Sequence, residues 1–357
     1  MTDGKPIFRL DGVTKNYGPV TALRGVTLSV AGNEYISLLG PSGSGKSTLL
    51  RVIAGFELPD SGRVEFEGRD ITHVPAHERG IGFVFQNFAL FPHLSVYDNV
   101  AFGLLNGKTP APQADVDGRV REMIALVGLA GMEGRGVHQI SGGQKQRVAL
   151  ARTLVMAPRL VLLDEPLGAL DANLRNRMRN ELRAIREKLG VTFLHVTGSE
   201  TEALAMGDRV VVLDKGSIAQ FDTPGAVYGS PATPNVAHFL NRYNIFAGEL
   251  KGREFSGPFG ALSVEKVTPA DRPAYAVRYD RMKVESEGGA ASGPGIAAKF
   301  VASEYLGSSV MYFFETDQGQ VIEVEHHLSL GVPQSYEQNA RYTLRWRPED
   351  AIVFGRG

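Results

Sequence analysis

The octapeptide GPSGSGKS, Gly40–Ser47, follows the apolar run YISLL and precedes TLLRVIAG, whose apolar residues have a helical spacing. It matches G-x-x-x-x-G-K-[ST] in the strand–loop–helix setting that this pattern requires. Glycines let successive backbone N–H groups turn toward phosphate oxygens, and a helix N-terminus adds roughly half a positive charge. A chance glycine-rich turn is the alternative, and the flanking strand and helix argue against it. The stretch therefore predicts a nucleotide-phosphate site formed by Gly40, Pro41, Ser42, Gly43, Ser44, Gly45, Lys46, Ser47 and Thr48.

Two acidic residues complete this predicted site. In RLVLLDEP, the apolar residues Leu160 to Leu163 predict a buried strand that ends in Asp164 and Glu165. The carboxyl ends of parallel strands meet at one edge of a sheet, so these acids are expected beside the phosphate loop. Lys46 would contact the β- and γ-phosphates, while the Ser47 hydroxyl and Asp164 would hold Mg²⁺. Glu165 would orient and deprotonate the attacking water, unless both acids are merely surface residues after a core strand.

The composition is that of an ordinary globular protein. The 357 residues are 43% hydrophobic and 22% charged, and the formal net charge is -1. This charge gives no indication of nucleic acid or of an anionic membrane as a partner. The absence of cysteine excludes disulfides, thiolate metal sites and cysteine nucleophiles. MTDGKPIFRL lacks the apolar core of a signal peptide, and no apolar run reaches about 18 residues. Any role at a membrane is therefore expected to depend on a partner.

The pattern along the chain predicts two domains. From about Ile7 to about Leu240, short apolar runs alternate with segments of helical period, which predicts a mostly parallel α/β sheet covered on both faces. In DANLRNRMRNELRAIREKLG, the residues Leu174, Met178, Leu182, Ile185 and Leu189 fall on one helical face. Beyond about Asn244 the pattern becomes one of short strands, typical of a small β-barrel or sandwich, with ESEGGAASGPG as an internal loop. The predicted domains are residues 1–243 and 244–357.

A second helix-starting glycine motif occurs in QISGGQKQRVALARTLV, Gln139 to Val155. Ser141, Gly142, Gly143 and Gln144 open this predicted helix and form another natural anion site, although a flexible loop before a helix would read the same way. With this motif the chain from about Ile7 to about Leu240 resembles the ATP-binding subunits of ABC transporters. GPSGSGKS is then the Walker A loop, LLDEP is Walker B, SGGQ is the signature and GALD is the D-loop. Tyr17 in KNYG resembles the aromatic residue that stacks on adenine, and Gln86 in FVFQNFALFPHLSV resembles the Q-loop glutamine.

The resemblance implies a P-loop NTPase fold with a helical subdomain, and ATP and Mg²⁺ as cofactors. It implies Ser47, Gln86 and Asp164 as metal ligands, and Glu165 and Gln86 as catalytic residues. In this family two copies face each other head to tail, and each ATP lies between the Walker A loop of one copy and the SGGQ of the other. Ser141 to Gln144 would therefore serve the γ-phosphate of the partner's nucleotide, and ATP would close a dimer that hydrolysis reopens.

The C-terminal part resembles the OB-like TOBE regulatory domain of importer ATPases, and RWRPEDAIVF resembles the end of that domain. Within the importers, the spermidine/putrescine, ferric-iron and phosphonate group is the most similar. The implied partners are two transmembrane permeases, an extracytoplasmic solute-binding protein and a second ATP-binding subunit. The implied location is peripheral, at the cytoplasmic face of the inner membrane. A homodimer is favoured and a heterodimer stays possible, whereas the cargo is chosen by other chains.

One position departs from the family pattern. A histidine normally follows the strand in a run such as VTHDQxEAL, but the aligned run here is VTGSETEAL and places Gly198 there. In the same run Ser199 and Glu202 have the spacing of a capping box at the start of the next predicted helix. Loss of one polar contact to the transition state costs about 2–4 kcal/mol by analogy with oxyanion donors. His195 lies about 10 Å upstream along the strand and is predicted to be a core or edge residue. The chain could complete its sites in a heterodimer, hydrolyse ATP slowly as a homodimer, or act as a nucleotide sensor; retained ATPase activity is favoured.

Two further alternatives remain open on the sequence. FQNFALFPHLSVYDNVAFGL is expected either to receive a coupling helix of the membrane subunit or to form the core of the helical subdomain. The rival function is that of a soluble ABC-type ATPase of translation or repair, or a nucleotide-gated regulator. Such proteins usually carry two cassettes or a long coiled-coil insertion. This chain has one cassette and no such insertion, which favours the importer.

Overall fold

The computed structural model describes residues 5–107, 112–168, 172–240, 242–286 and 293–356. Its contacts divide the chain into two compact units, Met1–Val227 and Tyr228–Gly357. The predicted boundary, between residues 243 and 244, lies after the last segment with a helical pattern. The contacts instead place the helix Pro234–Phe239 of that segment in the second unit. In the part of the chain that the structure describes, no helix is both long and apolar enough to cross a membrane.

The first unit alternates strands with helices. In chain order its elements are β1 (Phe8–Tyr17), β2 (Val20–Val30), β3 (Tyr35–Leu39), α1 (Lys46–Ala54), β4 (Ser61–Phe66), β5 (Arg69–Asp70), β6 (Gly82–Val84), α2 (Val96–Asn106), α3 (Gln113–Leu126), α4 (Gly142–Leu154), β7 (Leu160–Asp164), α5 (Ala172–Leu189), β8 (Thr192–Val196), α6 (Glu200–Met206), β9 (Arg209–Asp214) and β10 (Ser217–Asp222), and α7 (Pro224–Gly229) leads into the second unit.

The central sheet of the first unit has six strands in the order β10–β9–β3–β8–β7–β6. The strands from β9 to β6 pair in parallel, and only β10 is antiparallel to its neighbour. Every residue of β3 and β8 is buried, as expected for strands covered on both faces. A second, antiparallel sheet has the order β2–β1–β4–β5. The predicted mostly parallel α/β fold is confirmed.

Two hydrophobic clusters cover the central sheet. One contains buried residues of α2, α3, α4 and α5, and it forms the predicted helical subdomain together with the face of the sheet beneath it. The other joins α1 and the antiparallel sheet to the opposite face. On α5 the predicted apolar stripe includes the buried residues Met178, Leu182 and Ile185, whereas Leu189 at its end is 42% exposed. The helix therefore packs by its first four turns.

The second unit is built mainly of short strands, as predicted. After α8 (Pro234–Phe239) come β11 (Tyr243–Ala247), β12 (Glu249–Lys251), β13 (Glu254–Gly257), β14 (Gly260–Ser263), β15 (Val267–Pro269), β16 (Ala274–Arg278), β17 (Lys283–Ser286), β18 (Gly295–Tyr305), β19 (Ser309–Thr316), β20 (Val321–His327), β21 (Arg341–Arg345) and β22 (Ala351–Gly355). They form three sheets, in the orders β11–β16–β22–β15, β12–β13–β14 and β17–β21–β18–β19–β20. Trp346 lies in the core among Phe246, Phe259 and Tyr275. Most of the predicted internal loop, residues 287–292, lies outside the described residues.

Candidate functional site

The predicted site residues meet at the carboxyl edge of the central sheet. The neighbouring strands β3, β8 and β7 end at Leu39, Val196 and Asp164. Because the three strands are parallel, the segments that follow them emerge at the same edge. These segments are the glycine-rich loop, the turn that contains Gly198, and Glu165. The parallel register thus brings together the first predicted phosphate site and both predicted acids.

The glycine-rich loop needs glycine for two different steric reasons. Gly45 has φ of 101°, and a Cβ on it would lie 2.4 Å from the carbonyl oxygen of Ala22. A Cβ on Gly40 would lie 2.2 Å from the carbonyl oxygen of Leu213. Helix α1 begins at Lys46, directly after the loop, so its first N–H groups face the loop end. Ser47 and Thr48 lie in the first turn of this helix, where Ser47 is exposed.

Lys46 connects the loop electrostatically to the two acids. Its ammonium is buried and donates hydrogen bonds to the carbonyl oxygens of Gly40, at 2.8 Å, and Pro41, at 2.9 Å. Burial lowers the pKa of Lys46, while the charges of Glu165 and Asp164 oppose that shift. The Lys46 ammonium therefore interacts electrostatically with the carboxylates of Asp164 and Glu165. Phosphate groups held by the loop would lie between this ammonium and the two acids.

The acidic pair has different surroundings at its two positions. Burial and the neighbouring Glu165 raise the pKa of Asp164, and the cations Arg51 and Lys46 only partly offset this. Glu165 accepts a hydrogen bond of 2.9 Å from the side-chain amide of Gln86. The sequence-predicted catalytic pair is therefore in direct contact. A further cation near Asp164 would favour its ionised form.

Glu165 has an unusual backbone conformation. Its φ of 46° lies in the left-handed region, which is costly for a residue that carries a side chain. Its amide donates a 3.1 Å hydrogen bond to the carbonyl oxygen of Val196, at the end of β8. Its own carbonyl accepts from the amide of Gly168 at 3.2 Å. These contacts hold the residue in a conformation that the motif LLDEP alone does not reveal.

The second predicted anion site lies at the N-terminus of α4. The hydroxyl of Ser141 accepts from the amide of Gln144 at 3.4 Å, and the Gln144 side chain accepts from the Ser141 amide at 2.8 Å. This reciprocal capping fixes the start of the helix. A Cβ on Gly143 would lie 2.5 Å from Leu174 Cδ2 on α5, whereas one on Gly142 would meet no atom within 4 Å. The composite arrangement with a second copy stays a prediction. Of the predicted D-loop, Ala169, Leu170 and Asp171 lie outside the described residues.

Tyr17 lies at the end of β1 and is 44% exposed. The ammonium of Lys15 is 5.5 Å from the centre of its ring. An exposed aromatic ring at the end of a strand is available for stacking on a base. Its predicted contact with adenine stays a prediction.

Gly198 leaves room beside the acidic pair. Its φ lies outside the left-handed region, and a Cβ built on it would meet no atom within 4 Å. His195 does not replace the missing side chain, because it is fully buried with Nδ1 3.3 Å from the hydroxyl of Tyr35. Burial lowers the pKa of His195 to about 3, so it is neutral in the folded protein. The interpretation of His195 as a core residue is confirmed.

The start of α6 corrects one detail. Ser199 and Glu202 have the spacing of a reciprocal capping box, and the Ser199 hydroxyl does accept from the Glu202 amide at 3.3 Å. The return bond is absent among the described contacts, because the amide of Ser199 donates to Thr197 Oγ1 at 3.0 Å. The carboxylate of Glu202 accepts from the same Thr197 hydroxyl. Only one of the two hydrogen bonds of the capping box is therefore formed, and the Glu202 carboxylate binds Thr197 instead of the Ser199 amide.

Arg152 of α4 has a role that the sequence does not predict. Its guanidinium donates to the carbonyl oxygens of Ala89, at 2.7 Å, and Phe88, at 2.9 Å. Both of these residues have positive φ, 45° and 63°, and they lie two and three residues after Gln86. Arg152 thus holds the segment that carries the Q-loop glutamine. No local pattern signals this role, because the two strained residues are not glycines.

The aromatic segment after Gln86 has two faces. Val96, Val100 and Leu104 of α2 are buried in the helical cluster. Phe102 and Leu105 on the same helix are 38% and 36% exposed. The expectation of a subdomain core therefore holds for one face, while docking of a membrane subunit on the exposed face stays a prediction.

Comparison with known proteins identifies the family. Residues 23–168 match the family model described as ABC transporter, and residues 275–354 match the TOBE domain model. A spermidine/putrescine import ATP-binding protein of Rubrobacter xylanophilus is 41% identical over 98% of this chain and 92% of its own length. The chain belongs to the ATP-binding subunits of ABC transporters. The fold and family predicted from the sequence are confirmed, with the TOBE domain at the predicted end of the chain.

Two other importer subunits also match. The Fe(3+) ions import ATP-binding protein of Rhizobium etli is 41% identical over 90% of this chain and 92% of its own length. The sulfate/thiosulfate import ATP-binding protein of Caulobacter vibrioides is 47% identical over 74% of this chain and 78% of its own length. This family member is accordingly an ABC-type ATPase that binds and hydrolyses ATP as part of an import complex. The comparisons do not favour the alternative of a nucleotide-gated or soluble regulator.

Solved structures agree for the ATP-binding part. A dimeric ATP-binding cassette in a post-hydrolysis state with ADP and Pi has a TM-score of 0.55 and 31% identity, and the match covers 61% of this chain and 98% of that one. The structure of cbiO1 from Clostridium perfringens, part of the ABC transporter complex cbiONQ, has a TM-score of 0.59 and 29% identity, covering 67% of this chain and 95% of that one.

Proposed function

We propose that two copies of this chain close around two ATP molecules and hydrolyse them with Glu165 as general base, driving uptake of a small solute through two permease subunits. The observation that carries this proposal is geometric: the parallel strands β3 and β7 end at one edge of the sheet, which places the loop with Lys46 beside Asp164 and Glu165. The chain would lie peripherally at the cytoplasmic face of the inner membrane. Its closed form would be a homodimer, with a heterodimer as the second possibility.

In this proposal the Gly40–Ser47 loop binds the phosphates through its backbone N–H groups. Lys46 leaves its carbonyl partners for the β- and γ-phosphates, and the Tyr17 ring stacks on adenine. Ser141, Gly142, Gly143 and Gln144 of the second copy contact the γ-phosphate. The capped helix start at Ser141 supports this role, because a helix N-terminus favours an anion.

The residues near Asp164 also fit a magnesium ion. The Ser47 hydroxyl, the Asp164 carboxylate and the Gln86 side-chain oxygen are hard oxygen donors, which Mg²⁺ prefers together with phosphate oxygens and water. The pKa of Asp164 is raised by burial and by Glu165, and a cation would stabilise its ionised form. When bound, Mg²⁺ would neutralise charge on the phosphates.

Glu165 would accept the proton of a water whose oxygen attacks the γ-phosphorus, while the bond to the ADP oxygen breaks. The 2.9 Å hydrogen bond from Gln86 supports an oriented Glu165 carboxylate. Gly198 offers no side chain to this step, so orientation of the base depends on Gln86 and on the backbone contacts of Glu165.

A polyamine is the transported solute to test first. Four relatives named for spermidine/putrescine import match this chain over 96–98% of its length. Ferric iron and sulfate also occur in the names of relatives, and a phosphonate-like solute is a further member of the predicted group. The solute-binding protein and permeases would make the choice, so the ATPase site itself does not discriminate among these cargoes.

The experiment compares Mg²⁺-ATP hydrolysis and self-association of the purified chain with those of Glu165→Gln. The matched control is Glu187→Gln, which makes the same change at an exposed position of α5. We expect Glu165→Gln to lower hydrolysis at least about 100-fold while still binding ATP and forming an ATP-dependent dimer, because only the base is lost. Equal rates for both variants would contradict the role of Glu165, and no dimer with ATP would contradict the composite site.

Cargo is tested in the cell that produces the protein. Replacing the natural chain by Glu165→Gln should abolish uptake of labelled spermidine, and the Glu187→Gln replacement should not. Unchanged spermidine uptake together with lost iron or sulfate uptake would reject the polyamine assignment and keep the importer.

A further inference from the structure

The side chains on both sides of Gly198, those of Thr197 and Ser199, form hydrogen bonds with Glu202. Thr197 Oγ1 accepts from the Ser199 amide at 3.0 Å and donates to the Glu202 carboxylate. Ser199 Oγ accepts from the Glu202 amide at 3.3 Å. The turn from residue 197 to residue 199 therefore has one hydrogen bond within it and two to Glu202 in the first turn of α6, one of which uses the Glu202 side chain.

Glu202 is unusual in its surroundings. It is only 5% exposed, although it lies in a surface helix next to the nucleotide edge of the sheet. Its Oε1 is buried and has no hydrogen-bond partner among the described residues, and its Oε2 is 3.7 Å from His195 Nε2. Burial of a carboxyl group is unfavourable unless its hydrogen bonds compensate. The bond from Thr197 is thus the contact that accounts for the position of this side chain.

The turn is connected to the catalytic base through the end of β8. The amide of Thr197 donates to Leu38 at 3.1 Å, next to the start of the phosphate loop. One residue earlier, the carbonyl of Val196 accepts the amide of Glu165 at 3.1 Å. Glu165 itself is in the left-handed region, a conformation that persists only where surrounding contacts hold it. A shift of the turn would therefore move a contact that Glu165 needs.

Glycine at position 198 makes these bonds more important. It has no side chain to pack, and a Cβ there would meet no atom within 4 Å. A glycine also has the widest choice of backbone conformations, so its turn is kept in one form only by its neighbours. The hydrogen bonds of Thr197 and Ser199 supply that restriction on both sides of the glycine.

We infer that Glu202, acting through Thr197, is a positioning residue for Glu165: it keeps the turn at residues 197–199 closed and thereby holds the Val196 carbonyl that receives the Glu165 amide. The inference rests on the proposed function, in which Glu165 is the general base. Glu202 does not touch nucleotide or water in this role. Its effect is on the conversion of bound ATP and not on the binding of ATP.

The test is Thr197→Val, which removes the hydroxyl and keeps the shape, compared with Thr192→Val at the first residue of β8, the strand that Thr197 follows. Thr192 is equally buried, and its hydroxyl accepts from the Asn33 amide at 2.9 Å. We expect Thr197→Val to lower kcat about tenfold to a hundredfold, with KM for ATP within about twofold, since misplacing a reacting group by about 1 Å costs this much. Thr192→Val should leave kcat unchanged while it lowers the melting temperature to a similar extent.

Conservative variants sharpen the result. Thr197→Ser keeps the hydroxyl and Glu202→Gln keeps an acceptor, so both should retain most of kcat. Glu202→Leu removes the acceptor and should behave as Thr197→Val does. An equal fall of kcat in Thr192→Val and Thr197→Val would mean that lower stability causes the loss of activity, and it would overturn the inference. The same conclusion would follow if Thr197→Ser were as slow as Thr197→Val.

Hydrogen exchange gives a readout that does not depend on turnover. The amides of Ser199 and Glu202, which donate the hydrogen bonds of this turn, should exchange faster in Thr197→Val and Glu202→Leu, and at the unchanged rate in Thr192→Val. Unchanged exchange in all variants would overturn the inference even if hydrolysis falls. If the natural chain hydrolyses no ATP, the proposed function fails instead, and the exchange rates alone decide whether Glu202 holds the turn.

Discussion

At the scale of single residues, Gly198 is the position where a substitution is expected to improve the enzyme. A Cβ at this residue meets no atom within 4 Å, so a side chain can be added without a clash. We expect Gly198→His to raise kcat for ATP hydrolysis about 10²- to 10³-fold, because it adds a polar contact near the γ-phosphate of the kind that oxyanion donors make. The measurement is steady-state phosphate release, with Glu165→Gln as the blank.

The control for this substitution is Gly198→Ala. It fills part of the same space and restricts the backbone, but it offers no hydrogen bond. An equal rise in Gly198→Ala would mean that backbone freedom, and not the missing imidazole, limits the rate. No rise in either variant would mean that the natural site already compensates for the glycine.

His195 should make the stability of the protein depend on pH. Burial lowers its pKa to about 3 from the 6.5 of a free histidine. Below pH 6.5 this histidine binds a proton in the unfolded chain, whereas in the folded chain it stays neutral down to about pH 3. The free energy of unfolding therefore falls as the pH is lowered through this range. The contribution is lost progressively below pH 6.5 and is fully present above it.

We expect His195→Gln to lose about 2 kcal/mol less stability than the natural chain when the pH is lowered from about 7.5 to about 5. Urea unfolding at both pH values measures the difference. His77→Gln is the control, because it makes the same change at a side chain that is 69% exposed. An identical loss in the natural chain and in His195→Gln would contradict the buried neutral histidine.

At the scale of elements, the contact between α4 and α5 determines which signature glycine is structurally required. A Cβ on Gly143 would lie 2.5 Å from Leu174 Cδ2, while one on Gly142 meets open space. We expect Gly143→Ala to lower the free energy of unfolding by about 1–3 kcal/mol through overpacking. Gly142→Ala should raise it by up to about 1 kcal/mol, because alanine favours the helix.

Chemical unfolding of the two alanine variants in the absence of nucleotide separates this packing effect from nucleotide binding. Equal stabilities would show that Leu174 moves aside without cost. The comparison also separates two roles of the motif SGGQ, since Gly143 packs against α5, whereas Gly142 has open space around it and in the proposed function contacts a second copy.

At the scale of the whole molecule, the position of the domain boundary has a measurable consequence. Tyr243 is buried against Ala237 and Phe354, and its hydroxyl donates to the carbonyl of Tyr228 at 2.8 Å. A fragment of residues 228–357 keeps these contacts, whereas a fragment of residues 244–357 loses them. We expect the shorter fragment to be less stable by about 3–5 kcal/mol, the usual cost of deleting a buried aromatic side chain.

Trp346 is the single tryptophan of the chain and lies in the core of this unit, so its fluorescence reports unfolding of either fragment. Tyr243→Ala in the longer fragment is the matched control and should account for most of the difference. Equal stability of the two fragments would support the boundary at residues 243 and 244 that the sequence predicts.

Much of the ATP-binding machinery follows from the sequence by itself. The phosphate loop, the acids after β7 and the start of α4 are each formed by covalent neighbours, so their chemistry depends on residue types at fixed spacings. The alternation of buried strands with amphipathic helices is likewise written in the hydrophobic period, which predicts the parallel sheet. The parallel sheet in turn places Gly40, Asp164 and Gly198 at one edge. Family, fold class and the departure at Gly198 were therefore readable without coordinates.

The tertiary structure alone decided how these parts are held. The left-handed φ of Glu165, the bonds from Arg152 to the segment after Gln86, and the turn of Glu202 toward Thr197 join residues that no short pattern relates. The spacing of Ser199 and Glu202 predicted a reciprocal cap, but a carboxylate on the buried side of α6 binds the nearest donor, and that donor is the Thr197 hydroxyl. Local spacing determines which hydrogen-bond partners are within reach of a side chain. Which of them it binds depends on burial, and burial is a property of the folded chain.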